Sequence, residues 1–151
     1  MRSSEVDEEP PGHAPVHWRF GTTADVGIGA RAASAEGLFA ELGRGFTELV
    51  TDLTGIQARE TRQIAVEADS VEGLVVAYLT ELIGLFDEEG FLASAFRVEL
   101  QGDPPRKLRA ELRGEDFDPA RHPVHVQVKA VTLHRLQVDL ERRRARVIVD
   151  I

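Results

Sequence analysis

The chain has 151 residues, no cysteine and a formal net charge of −8, with 42% hydrophobic and 29% charged residues. That length carries one domain with a real core, and the missing cysteines exclude disulfides, a thiolate nucleophile and any cysteine-based zinc or iron–sulfur site. A pI near 5.1 argues against direct stable nucleic-acid binding, since phosphate binding needs a concentrated basic surface, and no apolar run approaches the roughly eighteen residues of a membrane span.

Residues 1–15, MRSSEVDEEPPGHAP, are acidic and proline-rich, lack the apolar stretch of a signal peptide, and read as a disordered leader to a domain over 16–151. The expected setting is the cytoplasm. Strands are predicted at His17 to Phe20 and at Val26 to Ala32, flanking a small polar loop. Gly27-Ile28-Gly29 falls inside the second of them and marks close packing or a bulge. A helix is predicted from Ser34 to Asp52, where Leu38, Phe39, Leu42, Phe46, Leu49 and Val50 recur at helical spacing behind a Ser34 N-cap. Gly37, Gly43 and Gly45 count against it. After a strand at Gln63 to Glu67, a second helix runs from Asp69 to Phe86, with Asp69 and Glu72 at capping-box spacing. The turn-like Asp87-Glu88-Glu89-Gly90 closes it.

Phe96 to Gln101 and Lys107 to Arg113 alternate and pair across Gly102-Asp103-Pro104-Pro105. From Val124 onward the alternation puts Val124, Val126, Val128 and Ala130 on one face, then breaks at Ala130-Val131, which predicts a β-bulge that re-aims a side chain. The last strand places Ala145, Val147, Val149 and Ile151 on one face and Arg146, Ile148 and Asp150 on the other. Two helices and about seven strands in this order predict a two-layer α+β domain, helices packed on one face of a mostly antiparallel sheet. The basic clusters, Arg142, Arg143, Arg144 and Arg146 in one place and Arg106 with Lys107 in another, read as solvated hairpin tips.

Familiar catalytic signatures are missing: no Gly-Xaa-Ser-Xaa-Gly elbow, no phosphate-binding loop, no dinucleotide fingerprint. His122, His125 and His134 invite a metal. On one extended strand, however, His122 and His134 would lie about 40 Å apart at about 3.3 Å per residue, so they read as surface histidines or as outer support for a site elsewhere. Two carboxylates are more telling: Asp25, at the entrance of a strand, and Asp150, beside the terminal carboxylate of Ile151. If the first and last strands are neighbours, as chain ends often are, these groups converge as an all-oxygen site for a hard cation. The plainer alternative is an Asx turn at Asp25 and a solvated end at Asp150.

Five segments carry a resemblance to a known family. Thr23-Ala24-Asp25-Val26-Gly27-Ile28, Leu85-Phe86-Asp87-Glu88-Glu89-Gly90-Phe91, Gly114 through His122, Val128-Lys129-Ala130-Val131-Thr132-Leu133-His134 and the closing Val149-Asp150-Ile151 follow the order of matching segments in archeases, over about Trp18 to Ile151. The resemblance implies a non-catalytic accessory factor that promotes guanylylation and multiple turnover of an RtcB-type RNA ligase in tRNA splicing or RNA repair. It implies a divalent cation, calcium first and manganese or magnesium as alternatives, held by Asp25, Asp150 and Ile151. Lys129 matches the family lysine associated with ligase activation, and His134 would support the site from further out. Four positions depart from the family pattern: Gly21-Thr22 replaces an Asp-His pair, Gln127 an acidic residue, and Leu133 an aromatic. An alternative from another class is a general protein chaperone or modulator, in which exposed apolar surface would do the binding. A metal-dependent hydrolase using Asp25, Asp150 and His134 is a third reading, and it lacks a nucleophile.

Overall fold

The structure, a computed structural model, describes residues 9–21 and 26–151. Along them run β1 (Val16–Gly21), β2 (Val26–Arg31), α1 (Ala35–Val50), β3 (Glu60–Glu67), α2 (Val71–Glu89), β4 (Phe91–Gly102), β5 (Pro105–Asp116), β6 (Ala130–Asp139) and β7 (Arg144–Asp150), with a short 3-10 turn at Leu53–Gly55. This is the predicted α+β class, and every ladder is antiparallel. The strands divide into two sheets, β1-β2-β7-β6 and β3-β5-β4. The chain crosses between the sheets twice, through α1 from β2 to β3 and through the connection from β5 to β6.

Each helix starts on a serine that accepts a hydrogen bond from an otherwise unpaired first-turn amide. Ser34 Oγ takes the Gly37 amide at 2.9 Å, and Ser70 Oγ takes the Gly73 amide at 3.0 Å. The second helix therefore begins at Ser70 and not at Asp69, whose side chain was the expected cap. It also runs three residues past Phe86, until Gly90 takes a left-handed φ of 67° and its amide closes on the carbonyls of Leu85 and Phe86.

The main core lies where both helices meet both sheets. Leu38, Phe39, Leu42 and Leu49 of α1 and Leu74, Val75, Tyr78 and Leu79 of α2 are buried there with Ile28, Leu112, Val147 and Val149. Each such apolar side chain contributes about 1.5–3 kcal/mol relative to exposure. The glycines that weaken the first helix in sequence serve this packing: a methyl on Gly43 would stand 2.4 Å from Tyr78 Oη, and one on Gly45 2.6 Å from Ile28 Cγ2. On the opposite face of the four-stranded sheet, Trp18, Phe20 and Ile148 form a second, smaller cluster. The rings of Trp18 and Phe20 lie flat on β2, each 2.2 Å from where a Cβ on Gly29 and Gly27 would stand. This is the close packing expected of Gly27-Ile28-Gly29.

Two irregularities matter below. Ser94 is an extra residue in β4 between Ala93, paired with Gly114, and Ala95, paired with Arg113. The carbonyls freed there are taken by α1, Thr47 Oγ1 donating to Ala93 at 2.8 Å and Arg44 Nη1 to Ser94 at 3.2 Å. In β6 the pairing jumps from Thr132↔Ile148 to Gln137↔Arg146, so residues 133–136 bulge out opposite the single residue Val147. The bulge is the predicted one, a few residues beyond the break at Ala130-Val131, and Arg135 turns it with a φ of 54°.

The strand expected from Val124 begins only at Ala130. Residues 122–129 are extended but cross the end of α1 instead of entering a ladder: the His125 amide donates to the Val50 carbonyl at 2.8 Å, and the His125 ring meets Asp52 at 2.8 Å. Val124 and Ala130 are exposed while Val128 is buried, so the four residues do not share one buried face. Alternation alone cannot tell a ladder strand from an extended segment lying on a helix end.

Candidate functional site

The C-terminal strand reaches the start of β2, where Val149 pairs with Val26. Asp25 precedes Val26 in the chain and lies outside the described residues, as do Thr22, Thr23 and Ala24. On the other side of β7, Asp150 pairs with Ala130, and the Lys129 amide donates to the Asp150 carbonyl at 2.7 Å. Two residues singled out in sequence, Lys129 and Asp150, thus meet backbone to backbone, with Ile151 next to them.

Val147 and Val149 belong to the main core and Ile148 to the Trp18 cluster, so strand alternation sets Asp150 on the Trp18 side of the sheet. Asp150, Ile151 and Lys129 are all exposed. Among the described residues the Asp150 carboxylate accepts no hydrogen bond and joins no ion pair. Carboxylate oxygens suit a hard cation over a soft one. No group of three or more His, Asp or Glu side chains gathers to hold a metal among the described residues.

His134 is exposed inside the β6 bulge, level with Val147 and about 10 Å along the strand from Asp150. The structure does not bring it to the chain end. His122 is also not the surface residue expected from sequence; at 1% exposure it is buried. Its Nδ1 accepts the Asp118 amide at 2.8 Å, so Nε2 carries the proton and donates to Glu115 at 3.0 Å.

Glu115 is the polar centre that the sequence reading missed. It is 3% exposed and accepts from Arg121 Nη2 at 2.5 Å and from the Gln57 amide at 2.8 Å as well as from His122. The Arg121 guanidinium, helped by the Gln57 amide and His122, outweighs burial and brings the carboxyl down to about 2. The cluster fastens the turn after β5, and with it the extended 122–129 segment that delivers Lys129 to Asp150. The run from Gly114 to His122 contained the signal, a carboxylate seven residues before a histidine.

Two antiparallel sheets clasping two helices, with the last strand seated between the first hairpin and β6, define a small α+β protein. Residues 18–151 match the model of the archease protein family, and the chain belongs to that family. It is 36% identical over 132 residues to the protein archease of Methanopyrus kandleri, covering 85% of this chain and 94% of that one. The protein archease of Aeropyrum pernix is 33% identical over 134 residues, with 85% and 92% covered. Among solved structures, Methanobacterium thermoautotrophicum protein 1598 superposes with a TM-score of 0.76 at 28% identity, covering 89% of this chain and 98% of that one. No helix of the described residues is long and apolar enough to cross a membrane.

Proposed function

We propose that the chain is a non-catalytic accessory factor that promotes guanylylation and multiple turnover of an RtcB-type RNA ligase, with a divalent cation held by Asp25, Asp150 and Ile151 and with Lys129 acting on the ligase. Family membership supports the reading. The observation that carries it is the 2.7 Å hydrogen bond between the Lys129 amide and the Asp150 carbonyl, which holds these two exposed residues together at the backbone. A hard cation bound there would supply charge stabilisation to oxyanions of the partner's reaction. Asp150 would offer carboxylate oxygens and Ile151 a backbone or terminal oxygen, while the Lys129 ammonium, free of ion pairs among the described residues, would meet a phosphate or an acidic group of the ligase. The net charge of −8 complements a basic, RNA-binding partner.

The test is the rate at which a cognate ligase forms its guanylylated intermediate, with and without this chain. Wild type is expected to raise that rate, and Asp25→Ala and Lys129→Ala each to remove the increase. Unchanged guanylylation with all three proteins would overturn the reading.

A further inference from the structure

Arg31 and Arg144 are direct partners across the β2–β7 ladder. Like charges placed opposite one another on a sheet repel, and the Arg31 side chain is also nearly buried, at 6% exposure. One carboxylate answers both. Glu9 accepts Arg31 Nη1 on Oε2 at 2.8 Å and Arg144 Nη1 on Oε1, and the carbonyls of Pro10, Pro11 and Ala14 accept from the Arg31 guanidinium as well. The segment supplying these groups precedes residue 18, where the family match begins.

Around Glu9 opens a cavity of about 240 Å³, lined also by Trp18, Arg142, Arg144 and Arg146, far more room than one water needs. Arg146 stacks 4.1 Å over the Phe20 ring, and Arg142 has Asp139 at 3.9 Å. Three guanidinium groups, those of Arg142, Arg144 and Arg146, line the cavity with two carboxylates, Glu9 and Asp139, while the Arg31 guanidinium held by Glu9 is not part of the lining. The lining carries an excess of one positive charge, and of two once Glu9 leaves, on a chain whose net charge is −8.

We infer that this is a phosphate-binding site, which Glu9 occupies in the free chain and from which a phosphate group displaces it. A single carboxylate brings one negative charge, whereas a phosphate brings up to two and more acceptor oxygens, which fits the charge excess and the forked arginine donors. With Glu9 seated, the full chain holds phosphate weakly, in keeping with its acidic balance. Arg144 and Asp150 stand at opposite ends of β7, about 20 Å apart, so the site is separate from the C-terminal carboxylates and does not depend on them.

Trp18 is the only tryptophan and lines the cavity, so its fluorescence reports occupancy in the full-length protein without any ligase. Inorganic phosphate, titrated against chloride at equal ionic strength, is expected to change that fluorescence. Glu9→Gln should lower the half-saturating concentration about tenfold, the factor for an internal competitor seated about nine-tenths of the time. Adding Arg144→Gln should abolish the response. If a 5′-phosphorylated single-stranded RNA hexamer binds Glu9→Gln more tightly than inorganic phosphate does, the source is an RNA phosphate; equal affinity assigns free phosphate, and the site stands in both cases. A response that is absent in Glu9→Gln or that survives Arg144→Gln overturns the proposal, as does saturation by a Glu-Pro-Pro peptide but not by phosphate. If thermal melting shows that Glu9→Gln does not fold, wild type compared with Arg144→Gln at higher phosphate carries the same test.

Discussion

His122 donates through Nε2 to Glu115 across 3.0 Å, with both side chains buried, and this pair fastens the turn that leads to Lys129. Removing the charge from Glu115 leaves the guanidinium of Arg121, the Gln57 amide and the His122 ring short of an anionic acceptor. Glu115→Gln is expected to lower unfolding free energy by about 1–3 kcal/mol, the range for weakening hydrogen bonds to a buried charged group, as read from urea denaturation. Because the folded-state value is depressed from 4.5 to about 2, the carboxylate's contribution is present above about pH 4.5 and is lost as pH falls through about 2. Wild type should lose stability across that window more steeply than Glu115→Gln.

His17 titrates in the other direction. Burial opposes its charge, but hydrogen bonds to Glu41 at 3.0 Å and Glu48 at 3.3 Å prevail and raise its pKa above 6.5. Its imidazolium then contributes stability that is fully present below about pH 6.5 and is lost as pH rises through the folded-state value. Melting temperature should decline on that rise in wild type and hold more nearly level in His17→Gln. Equal slopes in the two proteins would show that the Glu41–His17–Glu48 bridge contributes nothing.

Gly29→Ala places a methyl against the face of the Trp18 ring, 2.2 Å from Cε2. The indole must lift from β2, and overpacking of this kind costs about 1–3 kcal/mol. A blue or red shift of the single tryptophan's emission, together with a lower urea midpoint, is the expected result.

Lys129 is exposed and, through its side chain, joins no ion pair among the described residues. Lys129→Ala should therefore leave stability within about 0.5 kcal/mol of wild type while removing the increase in ligase guanylylation. A large drop in melting temperature would make the residue structural instead.

Calcium binding supplies a check on the chain end that is independent of the ligase. Asp150→Ala should reduce heat-detected calcium binding and remove any calcium-dependent rise in melting temperature. Binding that is unchanged in Asp150→Ala, measured by calorimetry, would take that carboxylate out of the cation's donor set.

Periodicity was sufficient for both helices and for most strands because Leu38, Leu42 and Phe46, or Val147 and Val149, each face one core at the spacing of their own element. It failed at Val124 to Val128, where extended chain lies on a helix end with no ladder partner, and at Asp69, where the neighbouring serine won the cap. The sheet division was not legible, since no residue in β3 or β6 states which strand it will pair with. Of the candidate site, the motif order singled out Lys129 and Asp150, but their 2.7 Å backbone contact depends on long-range register. The Glu9 bridge was missed for the same reason, its partners Arg31 and Arg144 lying 22 and 135 residues away, whereas Glu115 has local partners in Arg121 and His122 and only its Gln57 contact spans 58 residues. Asp25 lies outside the described residues, so its part rests on the resemblance.

The extra residue Ser94 has a consequence for how the molecule comes apart. The two sheets share no ladder among the described residues, yet α1 holds the loosened carbonyls of β4 through Thr47 and Arg44 while its other side lies on β1 and β2. A one-residue slip of β4 would carry those carbonyls away from α1, so the helix checks the alignment of one sheet against the other. Loss of either sheet strips partners from the helix that the other needs. Amide protons in β2 and β4, despite belonging to different sheets, should therefore exchange with solvent in a single cooperative opening.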